Sequence, residues 1–410
     1  MTVRLTIFGA LIFSAAGWLL VEHAQWLAKG PRDPRFVRFM RRYDRRTDAS
    51  SRLPPKGRAV DCRGGPLDET LSGDRFQKVL NDCAVVNGGR PVRLTLDGTL
   101  QREATRLMAG RTGAVVVMEP STGRLRALVS SPASDSLNRA LNGVYPPGSV
   151  FKIFLAAAAL SAGEDPIFHC PASGYRSARG TMPIRDVEAV HRGRAWRGFG
   201  RIGMGEAMIH SANTYFAQLG VALGTERFDE AVRAAKWREG VDVWTAPSGL
   251  ALASAANRVP EGVPAPALAP LAIGQGALQM TPLGVAMLTS AVANDGLLIK
   301  PTLAEDDRPV LRARPFTMEA AGRVRMMMRA VVRAGTGRAC EIPGLDVCGK
   351  TGTAQTGRGA DHAWFTCFAP QRSPRLTVTV LVEHGGFGAQ AALPAAKALL
   401  LEARRLGYFP

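Results

Sequence analysis

Motifs that hold metal ions or read nucleic acids are missing from this sequence. Neither CxxC nor HExxH occurs in its 410 residues, so we expect no zinc site. The patterns of zinc fingers, RNA-binding aromatic motifs and basic zippers are absent as well, which argues against a nucleic-acid partner. The sequence also contains no internal repeats. Nothing in it requires a metal or another cofactor.

Acidic residues are scarce relative to basic ones. The chain has 34 Asp and Glu against 52 Lys and Arg, a net charge of +18. This balance suits an anionic partner, which composition leaves open between nucleic acid, an anionic lipid surface and an anionic cell-wall polymer. With 46% hydrophobic and 21% charged residues, the chain can bury a full core. Its length allows two or three domains, or one large domain with an anchor.

Charge is also lacking from Leu5 to Val21, a run of seventeen residues that approaches the minimum for spanning a bilayer. A cleaved signal peptide is the alternative, but no persuasive small-x-small cleavage site comes just after the run. We therefore expect an uncleaved signal anchor over residues 1–22. The flanking charges oppose an exported domain: only Arg4 precedes the run, whereas eight basic residues follow it within residues 29–46. The positive-inside rule alone would keep the rest of the chain in the cytoplasm.

Residues 23–90 form the least regular part of the sequence, and we interpret them as a basic juxtamembrane segment and a reduced linker region. Within it, residues 34–46 alternate arginines with apolar residues, which fits an amphipathic helix on anionic headgroups or a solvated linker helix. Residues 51–59 are typical of a Pro/Gly linker. The stretch 62–90 is loop-rich, with a predicted helical piece around Asp74–Leu80.

The cysteines are few and even in number, six in all, which is compatible with an oxidising compartment. They are Cys62, Cys83, Cys170, Cys340, Cys348 and Cys367. The favoured disulfides are Cys62–Cys83 in the N-terminal region and Cys340–Cys348 across a short loop. The alternative is buried free thiols, which behave as small hydrophobic side chains.

From Pro91 onward the hydrophobic pattern becomes regular and predicts one α+β domain over residues 91–410. Two β-like runs joined by a Pro120–Gly123 hairpin precede a mainly helical region, and three further strands and a terminal helix close the chain. The predicted strands are 113–119, 124–130, 345–355, 363–369 and 376–383, and the predicted helices include 95–110, 149–163 and 391–405. The sheet must therefore gather segments that are distant in sequence.

Ser149 and Lys152 stand at the start of an apolar run, SVFKIFLAAAALSAG. The run predicts a buried helix with Ser149 at its N-terminal edge, where unpaired N–H groups face outward. Lys152 lies three residues later on the same side. Burial lowers the pKa of a lysine, and a neutral amine beside a hydroxyl is a competent general base. An isolated SxxK motif is more often a capped helix whose lysine reaches solvent.

Two further motifs follow this SxxK in order. Ser211-Ala212-Asn213 comes first, and Lys350-Thr351-Gly352 comes later, followed by Thr353. SxxK, SxN and KTG together are the signature of serine β-lactamases and penicillin-binding proteins. A second SxN, Ser136-Leu137-Asn138, precedes the SxxK and does not fit the order.

With these motifs in place, the chain resembles the transpeptidase domain of penicillin-binding proteins, and in particular the class B acyl-serine D,D-transpeptidases. Further stretches that resemble the family in order are 94–104, 113–132, 138–152, 273–288, 335–355 and 362–370. The resemblance implies the fold shared with serine β-lactamases. That fold has a five-stranded antiparallel sheet flanked by helices, plus an all-helical subdomain.

The resemblance also implies catalytic roles. Ser149 would attack the D-Ala-D-Ala carbonyl of a peptidoglycan stem peptide, and Lys152 would accept its proton. Ser211 would relay a proton to the leaving amine. Asn213 would hold both the substrate amide and Lys152. None of these roles involves a histidine.

The KTG strand would bind the substrate. Lys350 would keep the local potential positive, and the hydroxyls of Thr351 and Thr353 would bind the terminal carboxylate. The backbone N–H groups of Ser149 and Thr353 would form the oxyanion hole. Gly352 would leave room for substrate along the strand edge.

The implied function is cross-linking of stem peptides by a peptidoglycan D,D-transpeptidase that β-lactams acylate. A D,D-carboxypeptidase, a β-lactamase and a β-lactam sensor share the same acyl-enzyme and remain alternatives. No Glu-x-x-Leu-Asn-like segment follows Asn213, which disfavours the β-lactamase. A non-catalytic scaffold of the cell-wall machinery is the alternative from another class.

The N-terminal region departs from the family pattern. Class B members usually carry a large pedestal domain, and here only residues 54–71 distantly resemble its opening. A glycosyltransferase domain does not fit between the anchor and residue 91, so a polytopic SEDS-type glycan polymerase is an expected partner. We expect a single-pass protein of the bacterial cytoplasmic membrane with its catalytic domain in the periplasm.

Overall fold

A five-stranded antiparallel sheet runs through the computed structural model of this chain. The structure describes residues 57–67, 74–357 and 359–409, and only the backbone of residues 74, 190, 191 and 194. The predicted anchor and basic juxtamembrane segment lie outside these residues. Among the described helices, none is long and apolar enough to cross a membrane.

The secondary structure alternates short strands with helices. The strands are β1 (Ala59–Val60), β2 (Val92–Arg93), β3 (Gly113–Met118), β4 (Leu125–Ser131), β5 (Phe168–Pro171), β6 (Gly198–Ile202), β7 (Asp242–Thr245), β8 (Ala251–Ala253), β9 (Leu298–Ile299), β10 (Leu311–Ala313), β11 (Cys348–Ala354), β12 (His362–Ala369) and β13 (Leu376–Val382). The helices are α1 (Asp74–Val86), α2 (Gly98–Leu107), α3 (Lys152–Ser161), α4 (Val187–Arg192), α5 (Met204–His210), α6 (Asn213–Ala234), α7 (Leu268–Ala272), α8 (Pro282–Ala293), α9 (Met318–Ala334), α10 (Gly388–Ala391) and α11 (Leu393–Arg405).

The main sheet has the strand order β11-β12-β13-β3-β4. Strands β3 and β4, from early in the chain, therefore join the last three strands, and β3 pairs with β13. Its central strands are apolar and β-branched: β3 reads GAVVVM and β13 reads LTVTVLV, and every residue of both is buried. Burial on both faces explains why they read as continuous hydrophobic runs rather than alternations. The predicted α+β fold with this sheet and flanking helices is confirmed.

Two hydrophobic cores lie against the sheet. One contains Val116 of β3 and Trp364 of β12 together with residues of α3, α6, α8 and α9. The other contains Val115 and Phe365, the neighbours of those residues in sequence, with residues of α2 and α11. Because successive side chains of a strand point to opposite faces, helices cover both sides of the sheet. The edge strand β11 is the one that carries Lys350, Thr351 and Gly352.

The predicted helical region contains more than helices. Between β4 and β11, three two-stranded sheets form: β5–β6, β7–β8 and β9–β10. The helix predicted from Ser149 also begins differently. Gly148–Phe151 is a 3-10 turn, and the α-helix starts at Lys152. Ser149 therefore lies in the turn that precedes α3.

The region before residue 91 packs on the hydrophobic core that contains Val116 and Trp364. Strand β1 pairs in parallel with β2, and α1 extends to Val86 rather than ending near Leu80. The Asp61 carboxylate accepts hydrogen bonds from the backbone N–H groups of Arg63, Gly65 and Gly98. The N-terminal strand is thereby held against the start of α2.

The favoured disulfides are wrong, because all six cysteines are free thiols. Cys340 belongs to the core on one face of the main sheet and Cys348 to the core on the other, so their side chains diverge. Cys83 is buried on α1, whereas Cys62 is half-buried in the turn after β1. Short separation along the chain did not bring either pair together.

A buried row of hydroxyl groups links the sheet to α8, and it generates a stability prediction. The Thr366 hydroxyl lies 2.7 Å from that of Thr289 on α8 and 2.7 Å from that of Thr379 on β13, and all three side chains have no exposed surface. Thr366→Val should lower the free energy of unfolding by about 1–3 kcal/mol, because the Thr379 hydroxyl loses its partner. Denaturant unfolding measures the change.

Two further variants test the physical reason. Thr366→Val combined with Thr379→Val removes both partners and should recover part of the loss. Thr245→Val on β7 changes an exposed threonine and should stay within about 0.5 kcal/mol of the parent. If Thr366→Val were no less stable than Thr245→Val, the hydroxyl row would contribute nothing.

Candidate active site

Ser149 lies in a turn that contacts from distant parts of the chain hold in place. The backbone N–H of Gly148 donates to the carbonyl of Gly274 at 2.9 Å, and Trp364 Nε1 donates to the carbonyl of Pro146 at 3.0 Å. Ser149 itself is half-buried. Its hydroxyl makes no hydrogen bond within the described residues, so it stays available to a ligand.

Tyr145 fixes the start of this turn. Its backbone exchanges two hydrogen bonds with Met280, at 3.0 and 2.8 Å. Its hydroxyl donates to Glu383 Oε1 at 2.7 Å, and Arg139 Nε donates to the same oxygen at 2.7 Å. Burial and the Glu383 carboxylate raise the pKa of Tyr145, which therefore stays protonated. The turn is thus attached to the end of β13 as well as to β12.

Lys152 points from the first turn of α3 into a closed polar cluster. Its Nζ donates to the carbonyl of Ser211 at 2.7 Å and to Asn213 Oδ1 at 2.6 Å, and it lies 3.3 Å from Ser211 Oγ. The side chain has no exposed surface. Burial lowers the pKa of Lys152 to about 7, although the charges of Asp186 and Glu188 oppose the shift. A substantial neutral fraction is therefore present near neutral pH.

Ser211 joins Lys152 to a second buried lysine. Lys350 Nζ donates to Ser211 Oγ at 2.8 Å and to the carbonyl of Thr351 at 3.0 Å. Burial, together with the charge of Lys152, lowers the pKa of Lys350 well below its ordinary value. Ser211 adopts a left-handed conformation, φ 57°, at the C-terminal end of α5. One hydroxyl thus connects two amines of reduced basicity.

Asn213 opens helix α6 and is oriented from both ends of its amide. Oδ1 accepts from Lys152, and Nδ2 donates to the carbonyl of Arg185 at 3.0 Å. The next residue, Thr214, donates through its backbone N–H and its hydroxyl to the Asp186 carboxylate at 3.0 and 2.6 Å. Residues 185–186 therefore hold the N-terminus of α6 against the lysine cluster.

Strand β11 lies beside the turn that carries Ser149. A Cβ placed on Gly352 would lie 2.9 Å from Val150 Cγ1 and 3.0 Å from Trp364 Cβ, so the missing side chain permits this close approach. The Thr351 hydroxyl pairs with that of Thr336 at 2.7 Å. Room for substrate at Gly352, and carboxylate binding by Thr351 and Thr353, remain predictions.

The structure brings the motif residues together. Lys152, Ser211, Asn213 and Lys350 share one hydrogen-bonded cluster, and β11 packs on the turn of Ser149. Such an arrangement provides a half-buried hydroxyl nucleophile, a lysine that can take up a proton near neutral pH, and a hydroxyl that can pass it on. No part of it requires a metal.

Sequence reasoning missed several residues that orient this cluster. They are Arg139, Asp186, Thr336, Trp364 and Glu383. Arg139, Thr336 and Trp364 lie in stretches that the family resemblance includes, so a signal for them existed. Asp186 and Glu383 become visible only where separate segments meet.

Comparisons with known proteins identify the family to which the chain is similar. The family model described as "Penicillin binding protein transpeptidase domain" matches residues 113–401. The peptidoglycan D,D-transpeptidase PbpA of Mycolicibacterium smegmatis is 31% identical over 85% of this chain and 74% of its own length. The peptidoglycan D,D-transpeptidase MrdA of Acinetobacter baumannii is 30% identical over 81% of this chain, which spans 57% of that relative.

Solved structures show the same resemblance. The imipenem acyl-enzyme complex of penicillin-binding protein A from Mycobacterium tuberculosis superimposes with a TM-score of 0.68 at 27% identity, covering 86% of this chain and 91% of that one. The described fold is thus that of the penicillin-binding proteins. This chain belongs to the penicillin-binding protein transpeptidase family, and the family expected from the sequence is confirmed.

Two nearby glycines allow a matched test of how Ser149 is held. Gly274 and Gly276 both have φ 75°, but a Cβ on Gly274 would collide with the backbone of Gly148, whereas one on Gly276 would meet only Leu271 at 3.5 Å. Gly274→Ala should slow acylation by a penicillin about 100-fold, because the serine turn must move by roughly 1 Å. Gly276→Ala carries the same backbone strain and should slow it far less.

Stopped-flow acylation measures the rates, and thermal unfolding shows that both variants fold. Equal rates in the two folded variants would mean that the Gly148–Gly274 contact does not position Ser149.

Proposed function

We propose that this chain is a peptidoglycan D,D-transpeptidase that transfers a stem peptide through an acyl-enzyme on Ser149. The observation that carries the proposal is the hydrogen-bonded cluster of Lys152, Ser211, Asn213 and Lys350 beside that serine. The PbpA and MrdA relatives are peptidoglycan D,D-transpeptidases, which supports the proposal, as does the acyl-enzyme formed by penicillin-binding protein A.

Acylation begins when neutral Lys152 accepts the hydroxyl proton of Ser149. Oγ then attacks the carbonyl between the two terminal D-alanines, and the backbone N–H groups of Ser149 and Thr353 stabilise the developing oxyanion. The C–N bond breaks as the proton passes from Lys152 through Ser211 to the departing amine. D-alanine leaves, and the rest of the stem peptide remains as an ester on Ser149.

Deacylation reverses these proton movements. An amine of a neighbouring stem peptide attacks the ester carbonyl and gives its proton to Lys152. The C–O bond breaks, Ser149 regains a proton, and a new amide bond cross-links the two peptides. Lys152 thus ends the cycle in the protonation state in which it began.

The terminal carboxylate of the donor peptide is assigned to the KTG strand. Thr351 and Thr353 supply hydroxyl groups, and Lys350 supplies positive potential that favours the anion. The contact between Thr336 and Thr351 gives the carboxylate site a further hydroxyl that the motifs alone did not suggest.

The competing outcomes differ in whether an ester forms on Ser149, in which ester it is, and in what attacks it. Water would make the enzyme a D,D-carboxypeptidase, and rapid hydrolysis of a penicilloyl ester would make it a β-lactamase. A non-catalytic scaffold would form no ester at all. The intact serine–lysine cluster favours an active enzyme. The similarity to peptidoglycan D,D-transpeptidases favours the transpeptidase among the active forms.

Cell location is part of the proposal. The substrate lies outside the cytoplasmic membrane, so we place the catalytic domain in the periplasm with residues 1–22 as a single-pass anchor. A polytopic SEDS-type glycan polymerase would supply the strands whose peptides this enzyme joins.

The acyl-enzyme can be tested directly. The parent protein should take a covalent fluorescent penicillin label that resists denaturation, and Ser149→Ala should take none. Ser136→Ala is the matched control, because Ser136 is exposed in the other SxN motif and should label fully. An unlabelled parent, or a labelled Ser149→Ala, contradicts the assignment.

A second assay supplies a stem-peptide donor with and without an amine acceptor. A cross-linked product that forms only when the acceptor is present identifies a transpeptidase. Hydrolysis of the donor identifies a carboxypeptidase.

The lowered pKa of Lys152 predicts the pH dependence of acylation. The neutral amine is the base, and with a pKa of about 7 its fraction rises roughly tenfold from pH 6 to pH 8. The second-order rate of penicillin acylation should rise by the same factor and level off above pH 8. Asp186→Asn removes a charge that raises this pKa, so its profile should shift to lower pH. A parent profile that is flat or falls across this range would exclude Lys152 as the base.

A further inference from the structure

An arginine-rich segment borders the candidate active site, and its arginine side chains have no role in the chemistry above. Residues 172–201, hereafter the arginine segment, connect β5 to β6 and include most of β6. They contain seven arginines, no lysine and two acidic residues, so seven minus two leaves an excess of five positive charges. The acyl-transfer chemistry proposed for the site does not require this excess of arginine.

The arginines of this segment are exposed and unbalanced. The six with described side chains are all exposed, namely Arg176, Arg179, Arg185, Arg192, Arg197 and Arg201. Within the described part of the chain, none of these six forms an ion pair. Arg176 donates to the carbonyl of Thr181, and Arg192 lies over the ring of Trp196 at 5.5 Å. Elsewhere arginines are commonly neutralised, as Arg126 is by Glu119 at 2.8 Å.

The acidic residues of the segment do not neutralise it. Asp186 is only 2% exposed and accepts two hydrogen bonds from Thr214 at the start of α6. Its carboxylate therefore faces inward, towards the lysine cluster. Glu188 is half-buried and its charge also acts on Lys152. The outer surface of the segment remains positive.

The segment is attached to the active site itself. Its ends are joined by the pairing of β5 with β6, and Tyr175 pairs with Ile184 within it. In its middle, the carbonyl of Arg185 accepts the Asn213 amide at 3.0 Å, and Asn213 in turn holds Lys152. The positive surface is therefore continuous with the SxN side of the site.

We propose that the arginine segment binds the free carboxylates of peptide stems on the peptidoglycan strand that supplies the reacting peptides. Guanidinium groups match carboxylates in a bidentate geometry. Each exposed pair contributes little, so binding depends on several carboxylates along one strand and weakens with salt. Because the segment is attached to Asn213, we expect its ligand to be a polymer that also enters the active site, rather than a lipid headgroup. This inference rests on the proposed function.

A charge-matched pair of variants tests the proposal in the full chain, purified in detergent. Arg179→Gln/Arg197→Gln/Arg201→Gln removes three arginines whose side chains form no hydrogen bond or ion pair within the described residues. Arg90→Gln/Arg308→Gln/Arg372→Gln is the control: these three are also exposed and unpaired there, and the net charge changes equally. Co-sedimentation with purified peptidoglycan sacculi measures binding at low and high salt.

The first triple variant should bind sacculi about tenfold more weakly at low salt, and the control should bind like the parent. The difference should disappear at high salt and on sacculi whose carboxylates have been amidated. Equal binding by both triples, or a difference that persists on amidated sacculi, overturns the proposal. So does a loss seen only with micelles containing phosphatidylglycerol, which would indicate a lipid surface instead.

Penicillin labelling separates this inference from the proposed function. Both triples should label at the parental rate, because penicillin does not carry the additional carboxylates of a strand. A parent that takes no label refutes the proposed function, whereas labelled triples with equal sacculus binding refute only the role of the arginine segment.

Discussion

Two lysine side chains are buried on either side of one serine hydroxyl, and the rest of the site depends on that burial. Removing an ammonium group from water costs several kcal/mol unless acceptors replace the water or the proton is released. Here both occur. Lys152 finds the carbonyl of Ser211 and the amide oxygen of Asn213, Lys350 finds the carbonyl of Thr351, and both pKa values fall. The neutral amine that the proposed acyl transfer needs is therefore a consequence of how the domain packs.

Close backbone approach is the second constraint on the site. The serine turn, strand β11 and the loop at Gly274 lie so near one another that glycine is required at their crossings, at Gly148, Gly274 and Gly352. Trp364 and Glu383 secure the same turn from β12 and the end of β13. Ser149 is therefore positioned by contacts from separate segments, and the main sheet keeps those segments in register.

Much of the fold could be predicted because each strand of the main sheet is an apolar run bounded by turn residues. Positions of the five strands were right to within a few residues. The start of the helix at Ser149 was not, since Gly148 is pulled towards Gly274 and the chain forms a 3-10 turn before Lys152. The favoured Cys340–Cys348 disulfide was wrong because nearness along the chain does not decide on which side of the main sheet a side chain is buried. Cys340 and Cys348 lie in different cores.

By itself, the sequence determined the family and the candidate residues, since SxxK, SxN and KTG occur in order within a matching context. It also indicated that a lysine in an apolar helix would lose basicity. Only the tertiary structure decided which groups face that lysine. It also brought Asp186, Thr336 and Glu383 within hydrogen-bond distance of other segments, at Thr214, Thr351 and Tyr145 respectively. The physical reason is that hydrogen bonds and desolvation depend on distances across the fold, which a linear pattern of residue types does not contain.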